Sequence, residues 1–417
     1  MKILVIGGGG REHAMAWKLA ESSLVSQVLV APGNAGTAHG SKLSNVVLDL
    51  DNFDALIDFV RVQAIKMTVV GPEAPLAAGI VDAFKNANLL CLGPSKAAAQ
   101  LEASKAFCKD FMKQYQIPTA KYAVFNQKNA AKDYLATQNF PIVLKADGLA
   151  GGKGVIIANN QNEALSAVAT LLTDGKKLVI EEFIQGEEAS FIVLTDGKHI
   201  LPLASAQDHK TRDNGDKGPN TGGMGAYSPA PIVTPQLSQL VLETIIQPTI
   251  EGMAQEGHPY VGFLFAGLMI DKNNHPKVLE FNCRLGDPET QVILPRLKTD
   301  FAELCLATLS GTLDQINMEW DERSALGVVL AASGYPEKVR TGDEIQLPHH
   351  LSENQLLFHA GTATDGNKII TKGGRVLCAV GLDKNLSKAK HTAYELISSI
   401  HYDGMFYRTD IGDKALD

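Results

Sequence analysis

Apolar runs and amphipathic stretches take turns along this chain, and the opening residues set the pattern. Lys2–Ile6 is apolar after its first residue, which predicts a strand buried on both faces; glycines at 7–10 then make a turn, and Glu12–Ala20 continues as a helix. Val28–Ala31 and Met67–Val70 predict further strands, and Phe53, Leu56, Ile57 and Val60 recur at helical spacing between Asn52 and Ala64. This alternation predicts a doubly wound parallel sheet over roughly the first hundred residues. Pro32-Gly33-Asn34 and Gly71-Pro72-Glu73 directly follow two of these strands. They fall at carboxyl ends, where open α/β sheets bind ligands.

Ser104 predicts a helix cap, with Phe107, Phe111 and Tyr115 on one face of the helix and Pro118 closing it. Three strand-like runs follow at Ile142–Lys145, Val155–Ala158 and Leu178–Phe183, with a glycine-rich stretch, 148–154, between the first two. From Ser190 to Ile293 strands alternate with a long loop, Asp208–Pro229, and a helix over Gln236–Glu256. Beyond about Ala325 the chain reads as short strands and turns with one late helix near Ser387–Ile400. The expected fold class is therefore α/β and α+β multidomain, ending in a small α+β domain.

Composition narrows the function without choosing it. The chain has 417 residues with 38 Lys+Arg against 46 Asp+Glu, a net charge of −8, so no basic footprint for nucleic acid is present. Five scattered cysteines lack a Cys-x-x-Cys pair, which argues against a disulfide framework or a zinc site. They fit a reducing, cytoplasmic setting. The apolar N-terminal run is too brief for a signal core, and no stretch approaches the roughly 20 apolar residues of a spanning helix.

The first glycine cluster fails the dinucleotide spacing: counting G-x-G-x-x-G from Gly7 puts Glu12 at the third glycine, and counting from Gly8 puts His13 there. Bare amides at a helix start still attract an anion such as a phosphate monoester, although a plain tight turn explains a lone glycine run as well. Lys145-Ala146-Asp147-Gly148 running into Gly151-Gly152-Lys153-Gly154 is more specific. An amide-lined hairpin flanked by lysines can close over a polyphosphate, where the plain alternative is a mobile surface hairpin. Val179–Phe183 followed by Gly186-Glu187-Glu188 places acidic pairs after an apolar strand, fit to meet an adenine edge and ribose hydroxyls or simply to be solvated. In a strand, Glu280, Asn282 and Arg284 share one face. The first two offer hard oxygens to Mg²⁺, and Arg284 can neutralise a transferring phosphoryl group or hold a carboxylate; a surface Arg–Glu pair is the bland alternative. His209, in the long loop, reads as a solvated histidine without a catalytic role, and His349-His350 reads as surface.

Taken together, Gly9–His13, Ala31–Asn34, Gly71–Leu76, Ser104–Phe107, Lys145–Gly154, Gly218–Pro231, Glu280–Gln291, Phe358–Thr362 and Gly373–Leu377 resemble the glycinamide ribonucleotide synthetases (phosphoribosylamine–glycine ligases), an ATP-grasp family, over nearly the whole chain. The resemblance implies an N-terminal Rossmann-like substrate domain over 1–102, an ATP-grasp domain over 103–325 with a mobile lid at about 122–189, and a C-terminal α+β domain over 326–417. It implies ATP as cosubstrate with Mg²⁺ or Mn²⁺, a glycyl phosphate intermediate, and attack on it by 5-phosphoribosylamine. It further implies that Lys105, Lys145, Gly151, Gly152 and Lys153 bind phosphates, Glu181 and Phe183 the adenine edge, and Glu188 the ribose. Glu280 and Asn282 would hold the metal. Arg284, Asp287 and Pro288 would shape the glycine site, with Lys145 and Arg284 as the catalytic cations, and Gly9, Glu12, Asn34 and Glu73 would contact phosphoribosylamine. Implied partners are small molecules, with transient contact to the upstream amidophosphoribosyltransferase, no nucleic acid and no membrane, in a monomer or dimer.

The chain departs from the family pattern at Gly8, Phe265, Thr211 and Asn214, and Gly267-Leu268-Met269 offers no acidic metal ligand, so the expected metal shell is lean in protein donors. Two other readings compete: a nicotinamide-dependent oxidoreductase on the N-terminal sheet, and a non-catalytic nucleotide scaffold in which Glu280→Ala changes nothing in a cell. On the ligase reading, Glu280→Ala or Arg284→Ala lowers turnover on the order of 10²-fold or more, with little loss of fold. Steady-state rates of the purified variants beside their unfolding curves check both parts.

Overall fold

The computed structural model describes residues 1–149, 154–173 and 175–416. Its N-terminal sheet holds five parallel strands in the order Leu43–Asn45, Gln27–Pro32, Lys2–Gly7, Ile65–Val70, Cys91–Leu92. The uninterrupted apolar run at the start has a direct cause: Ile3 and Val5 pack into one core while Leu4 and Ile6 pack into another across the sheet. Helix Gly10–Glu21 covers the first face with Ala14, Met15 and Leu19. Helix Phe53–Val62 covers the second with Leu56, Ile57 and Val60, capped by Asn52 accepting from the Ala55 amide. Strand order reverses between Lys2–Gly7 and Ile65–Val70, and the crevice at that switch point opens at Gly7–Gly10 and Gly71–Glu73.

Helix Lys105–Gln114 is capped by Ser104, as its sequence predicts, and Phe107, Phe111 and Tyr115 do line one face, with ring centroids 6.2 and 4.7 Å apart in succession. After it comes a four-stranded sheet, Tyr122–Phe125, Leu178–Glu182, Ile142–Ala146 and Val155–Ala158 in that order, backed by helices Lys128–Leu135 and Gln161–Leu171. This unit has its own small core around Leu135, Leu144, Val168 and Ile180, and it is the segment expected as the lid. A second antiparallel sheet, Ile200–Pro202, Glu187–Thr195, Gly262–Ile270 and Pro276–Asn282, lies opposite. Every residue of Gly262–Ile270 is buried.

Two elements differ from the sequence reading. The Asp208–Pro229 stretch is not one loop: Thr211–Asp213 pairs with Lys217–Asn220 as a hairpin, and Gly225–Ser228 joins a five-stranded antiparallel sheet beside Ser324–Ala331. That strand is short and follows a glycine run, so periodicity does not reveal it; it exists because Ser324–Ala331 offers a free edge. Close approach requires a glycine here, since a Cβ on Gly225 would lie 2.7 Å from the Gly327 carbonyl oxygen. The helix expected over Gln236–Glu256 is interrupted by a π turn at Leu242–Ile246 between Pro235–Val241 and Gln247–Gln255. Pro248 explains it, having no N–H to return to the preceding turn and a ring that pushes that turn's carbonyl away. Strands Gln355–His359 and Arg375–Asp383 complete the C-terminal sheet, and helix Leu386–Ser398 packs on it.

Among the described residues no helix is long and apolar enough to cross a membrane. A unit with its own core is expected to move as one body. Backbone amides of Ile142–Ala146 and Leu178–Glu182 are therefore expected to exchange faster without nucleotide than with it; equally slow exchange in both states contradicts the motion.

Candidate active site

Lid, central sheet, N-terminal sheet and C-terminal sheet meet around one cleft of about 500 Å³. Its floor is the strand Pro276–Asn282, which brings Glu280 and Asn282 to the cleft, with Arg284 just beyond. The expected shared face is thus realised, but the bland Arg–Glu pair is not: Arg284 bonds Glu73 Oε2 through Nε at 3.2 Å and Glu102 Oε1 through Nη2 at 3.2 Å.

Glu102 is the partner that the sequence hides. Its Oε2 accepts the Cys283 amide at 2.6 Å and its Oε1 accepts from Asn282 Nδ2 at 3.1 Å, across a separation of 180 residues, with no spacing signal to betray it. Burial raises its pKa, with Arg284 opposing. With the amide nitrogen of Asn282 so engaged, its Oδ1 is left as the donor for a cation. Glu280 is held below the usual carboxylate range although burial pushes the other way, because Lys210, Lys145, Lys105 and Arg284 surround it. Among the described residues no donor bonds its carboxylate, and no cluster of three or more acidic, His or Cys side chains forms a metal cage. Two hard oxygens on an ionised floor suit a small divalent ion that takes its remaining ligands from phosphate and water.

The lid wall carries Lys145, whose Nζ pairs with Glu181 and donates to the Leu279 carbonyl at 3.2 Å. Lys105 begins the Ser104-capped helix; its Nζ donates to the Gly148 carbonyl at 2.8 Å, and burial lowers its pKa. Asp147 accepts from Ser104 Oγ and from the Ala106 amide, both at 3.1 Å, fastening the hairpin's start to the positive end of that helix. The lid strand ends at Glu182, so the main chain of Phe183 and Ile184 leaves the ladder where it borders the cleft. Glu188 faces the cleft paired to Lys210 at 2.6 Å. Gly151, Gly152 and Lys153 lie outside the described residues.

Asp287 also lines the cleft, one oxygen held by Gln291 Nε2 at 2.7 Å and the other by Arg375 Nη2 at 3.1 Å. Pro288 is not part of the lining and packs under Gly223. Of the residues expected at the first sheet, only Glu73 reaches the cleft; burial would raise its pKa, but Arg284 and Arg11 hold it down. Asn34 is committed elsewhere, donating to the Gly8 carbonyl at 3.0 Å and the His359 carbonyl at 2.8 Å and accepting from the Gly36 and Thr37 amides at 2.9 and 3.1 Å. Glu12 accepts the Gly9 amide at 2.6 Å and pairs with Arg11 at 2.7 Å. Its carboxylate occupies the mouth between Gly7 and Gly71, where a dinucleotide pyrophosphate would have to sit, which disfavours a nicotinamide enzyme.

The sequence reading passed over Arg11, Lys109, Asp208, Lys210, Glu289 and Arg375, all of which line the cleft. Asp208 is pushed up to about 7, by burial first and by Glu289 and Glu188 against Lys210. His209 is a correction: it is 2% exposed rather than solvated, edge-on to Tyr227 at 5.9 Å between ring centroids, and burial lowers it to about 4. His349 and His350 are exposed as expected.

Arg284 is tied to two carboxylates from other elements, so the expectation that Arg284→Ala costs little of the fold is revised. Removing it strands Glu102 as an unpaired buried carboxylate, a loss of about 3 kcal/mol. In the wild type, Glu73, held below its unfolded pKa, contributes stability present above that pKa and lost on acidification; Glu102, held above, is protonated sooner as pH falls. Glu102 makes the variant's deficit shrink as pH falls from neutrality, with Glu73 adding to this only at lower pH, so urea unfolding is expected to show a larger difference at about pH 7 than at about pH 5.

Matches to known proteins agree with this geometry. The chain matches the models for the phosphoribosylglycinamide synthetase N domain over residues 1–102, its ATP-grasp (A) domain over 103–290 and its C domain over 325–414. It is 55% identical over 425 residues to the phosphoribosylamine–glycine ligase of Salmonella typhimurium, covering 100% of this chain and 99% of the relative. The crystal structure of the Thermotoga maritima phosphoribosylamine–glycine ligase superimposes with a TM-score of 0.87 at 34% identity, covering 99% of this chain and 100% of that one. A biotin carboxylase domain from Hydrogenobacter thermophilus shares the fold at a TM-score of 0.73 and 16% identity, over 97% of this chain and 91% of that one. On this evidence the chain belongs to the phosphoribosylglycinamide synthetase family.

Proposed function

We propose that the chain ligates glycine to 5-phosphoribosylamine with ATP, giving glycinamide ribonucleotide, ADP and phosphate, a C–N bond-forming step of purine biosynthesis. The observation that supports this most is the gathering of Glu280, Asn282, Arg284, Lys105 and Lys145 in one cleft, in a chain matched end to end by ligases of that name.

The chemistry is a meeting of anions. A glycine carboxylate oxygen forms a bond to the γ-phosphorus while the bond to ADP breaks, and no proton need move, since the carboxylate is already ionised. What the step demands is alignment and neutral surroundings. Lys105, Lys145 and the 151–154 hairpin would hold the phosphates, the main chain of Glu181 and Phe183 the adenine edge, and Glu188 the ribose. Glu181 contributes by holding Lys145. Glu280 and Asn282 would seat Mg²⁺ or Mn²⁺, which when bound offsets phosphate charge. Arg284 and Asp287 would orient glycine, with Pro288 shaping the turn beneath. The amine nitrogen of phosphoribosylamine then attacks the acyl carbon, phosphate leaves, and the nitrogen sheds a proton.

Phosphoribosylamine would enter at the switch point of the N-terminal sheet, where Glu73 and Arg11 reach the cleft while Gly9, Glu12 and Asn34 set the shape behind them. Units 1–102, 103–325 with a lid at about 122–189, and 326–417 are our division of the chain. Five free, buried cysteines fit a cytoplasmic setting. A monomer or dimer, and transient contact with the upstream transferase that makes the labile amine, complete the reading.

Release of ADP is expected to require glycine and phosphoribosylamine together. Full ADP release with either one omitted would refute the assignment.

A further inference from the structure

Beneath the cleft floor runs a closed ring of polar contacts that the reaction scheme leaves unexplained. Thr119 Oγ1 donates to the Val278 carbonyl at 2.7 Å, and Lys109 Nζ donates to Thr119 Oγ1 at 2.8 Å. Lys109 also pairs with Glu181 Oε2, Lys145 pairs with Glu181 Oε1, and Lys145 returns to the Leu279 carbonyl at 3.2 Å. The ring begins and ends on neighbouring residues of the strand that carries Glu280 and Asn282. It crosses from the body helix through two lid strands and back.

Its three charged side chains are 3, 3 and 8% exposed for Lys109, Glu181 and Lys145, so solvent does little to soften their arrangement. An ammonium has three N–H donors. Those of Lys145 serve Glu181 and Leu279, leaving one for a ligand in the cleft; Lys109 is turned to Glu181 and Thr119. Each oxygen of Glu181 takes one ammonium. Without Lys109, Glu181 would have Lys145 as its sole counter-ion and would draw it off the phosphate position, because an unpaired buried carboxylate is costly.

We propose that Lys109 is a positioning residue for the nucleotide: through Glu181 it sets where the Lys145 ammonium stands, and through Thr119 it ties the lid to the metal-bearing strand. The inference rests on reading the cleft as an ATP site and adds a residue that need not touch ATP.

The test is Lys109→Met in the full chain, with ATP affinity measured by calorimetry and KM measured for each substrate. Expected is a loss of ATP affinity of about tenfold or more, with KM for glycine within about twofold of wild type and partial recovery in Lys109→Arg. A merely structural lysine would lower the melting temperature and leave the ATP affinity of folded chains intact, which overturns the proposal. Should Lys109→Met not fold, Thr119→Val decides: it leaves every charge in place and cuts only the two hydrogen bonds of the Thr119 hydroxyl, the one from Lys109 and the one to Val278. ATP binding weakened about threefold or more supports the role, and unchanged binding refutes it. Wild-type chain that binds no ATP would overturn the nucleotide reading and this inference with it. Equal binding by wild type and variant overturns this inference alone.

Discussion

Bringing a triphosphate against a carboxylate is the constraint to which this molecule is built. Lys105, Lys145, Lys210 and Arg284 crowd around Glu280 to counter those charges, and so many cations in a partly dry cleft would be unstable if left alone. Acidic neighbours hold them in the meantime: Glu181 for Lys145, Glu188 for Lys210, and Glu73 with Glu102 for Arg284. Lys145, Lys210 and Arg284 are thus fixed in place before substrates arrive. Preorganisation of this kind is where a phosphoryl-transfer site gains most of its rate.

The domains can be understood as the walls such a site requires. The N-terminal sheet supplies its switch-point crevice, closed to a dinucleotide by Glu12 and open to the cleft at Glu73. The four-stranded unit supplies Lys145 from a short strand. The C-terminal sheet sends Arg375 across to grip Asp287 and the Gly222 carbonyl, so the glycine-side turn depends on a residue far along the chain. Oxygen donors from only one strand leave room for the nucleotide to complete the coordination of a metal.

Much of this was legible in the residues themselves. Buried strands announced themselves as unbroken apolar runs, Ser104 as a cap, and Glu280, Asn282 and Arg284 by a period of two. What could not be read was set by contacts distant in sequence. Glu102 sits in an unremarkable helix start and matters only because Asn282 and Arg284 fold back onto it. Gly225–Ser228 looks like loop because its ladder partner comes about a hundred residues later. His209 looked wet because glycine-rich neighbours suggested exposure, while Tyr227 and the Gly412 amide enclose it. Pro248, by contrast, was visible in the chain, and its effect on the helix followed from its chemistry.

Because Gly225–Ser228 is threaded between Gln207–Asp208 and Ser324–Ala331, the terminal sheet is completed by backbone that arrives early in synthesis. The last segment therefore folds onto a waiting template rather than alone. Gene fission or fusion at the apparent junction near residue 325 would leave one product with a raw sheet edge and the other with an orphaned ribbon.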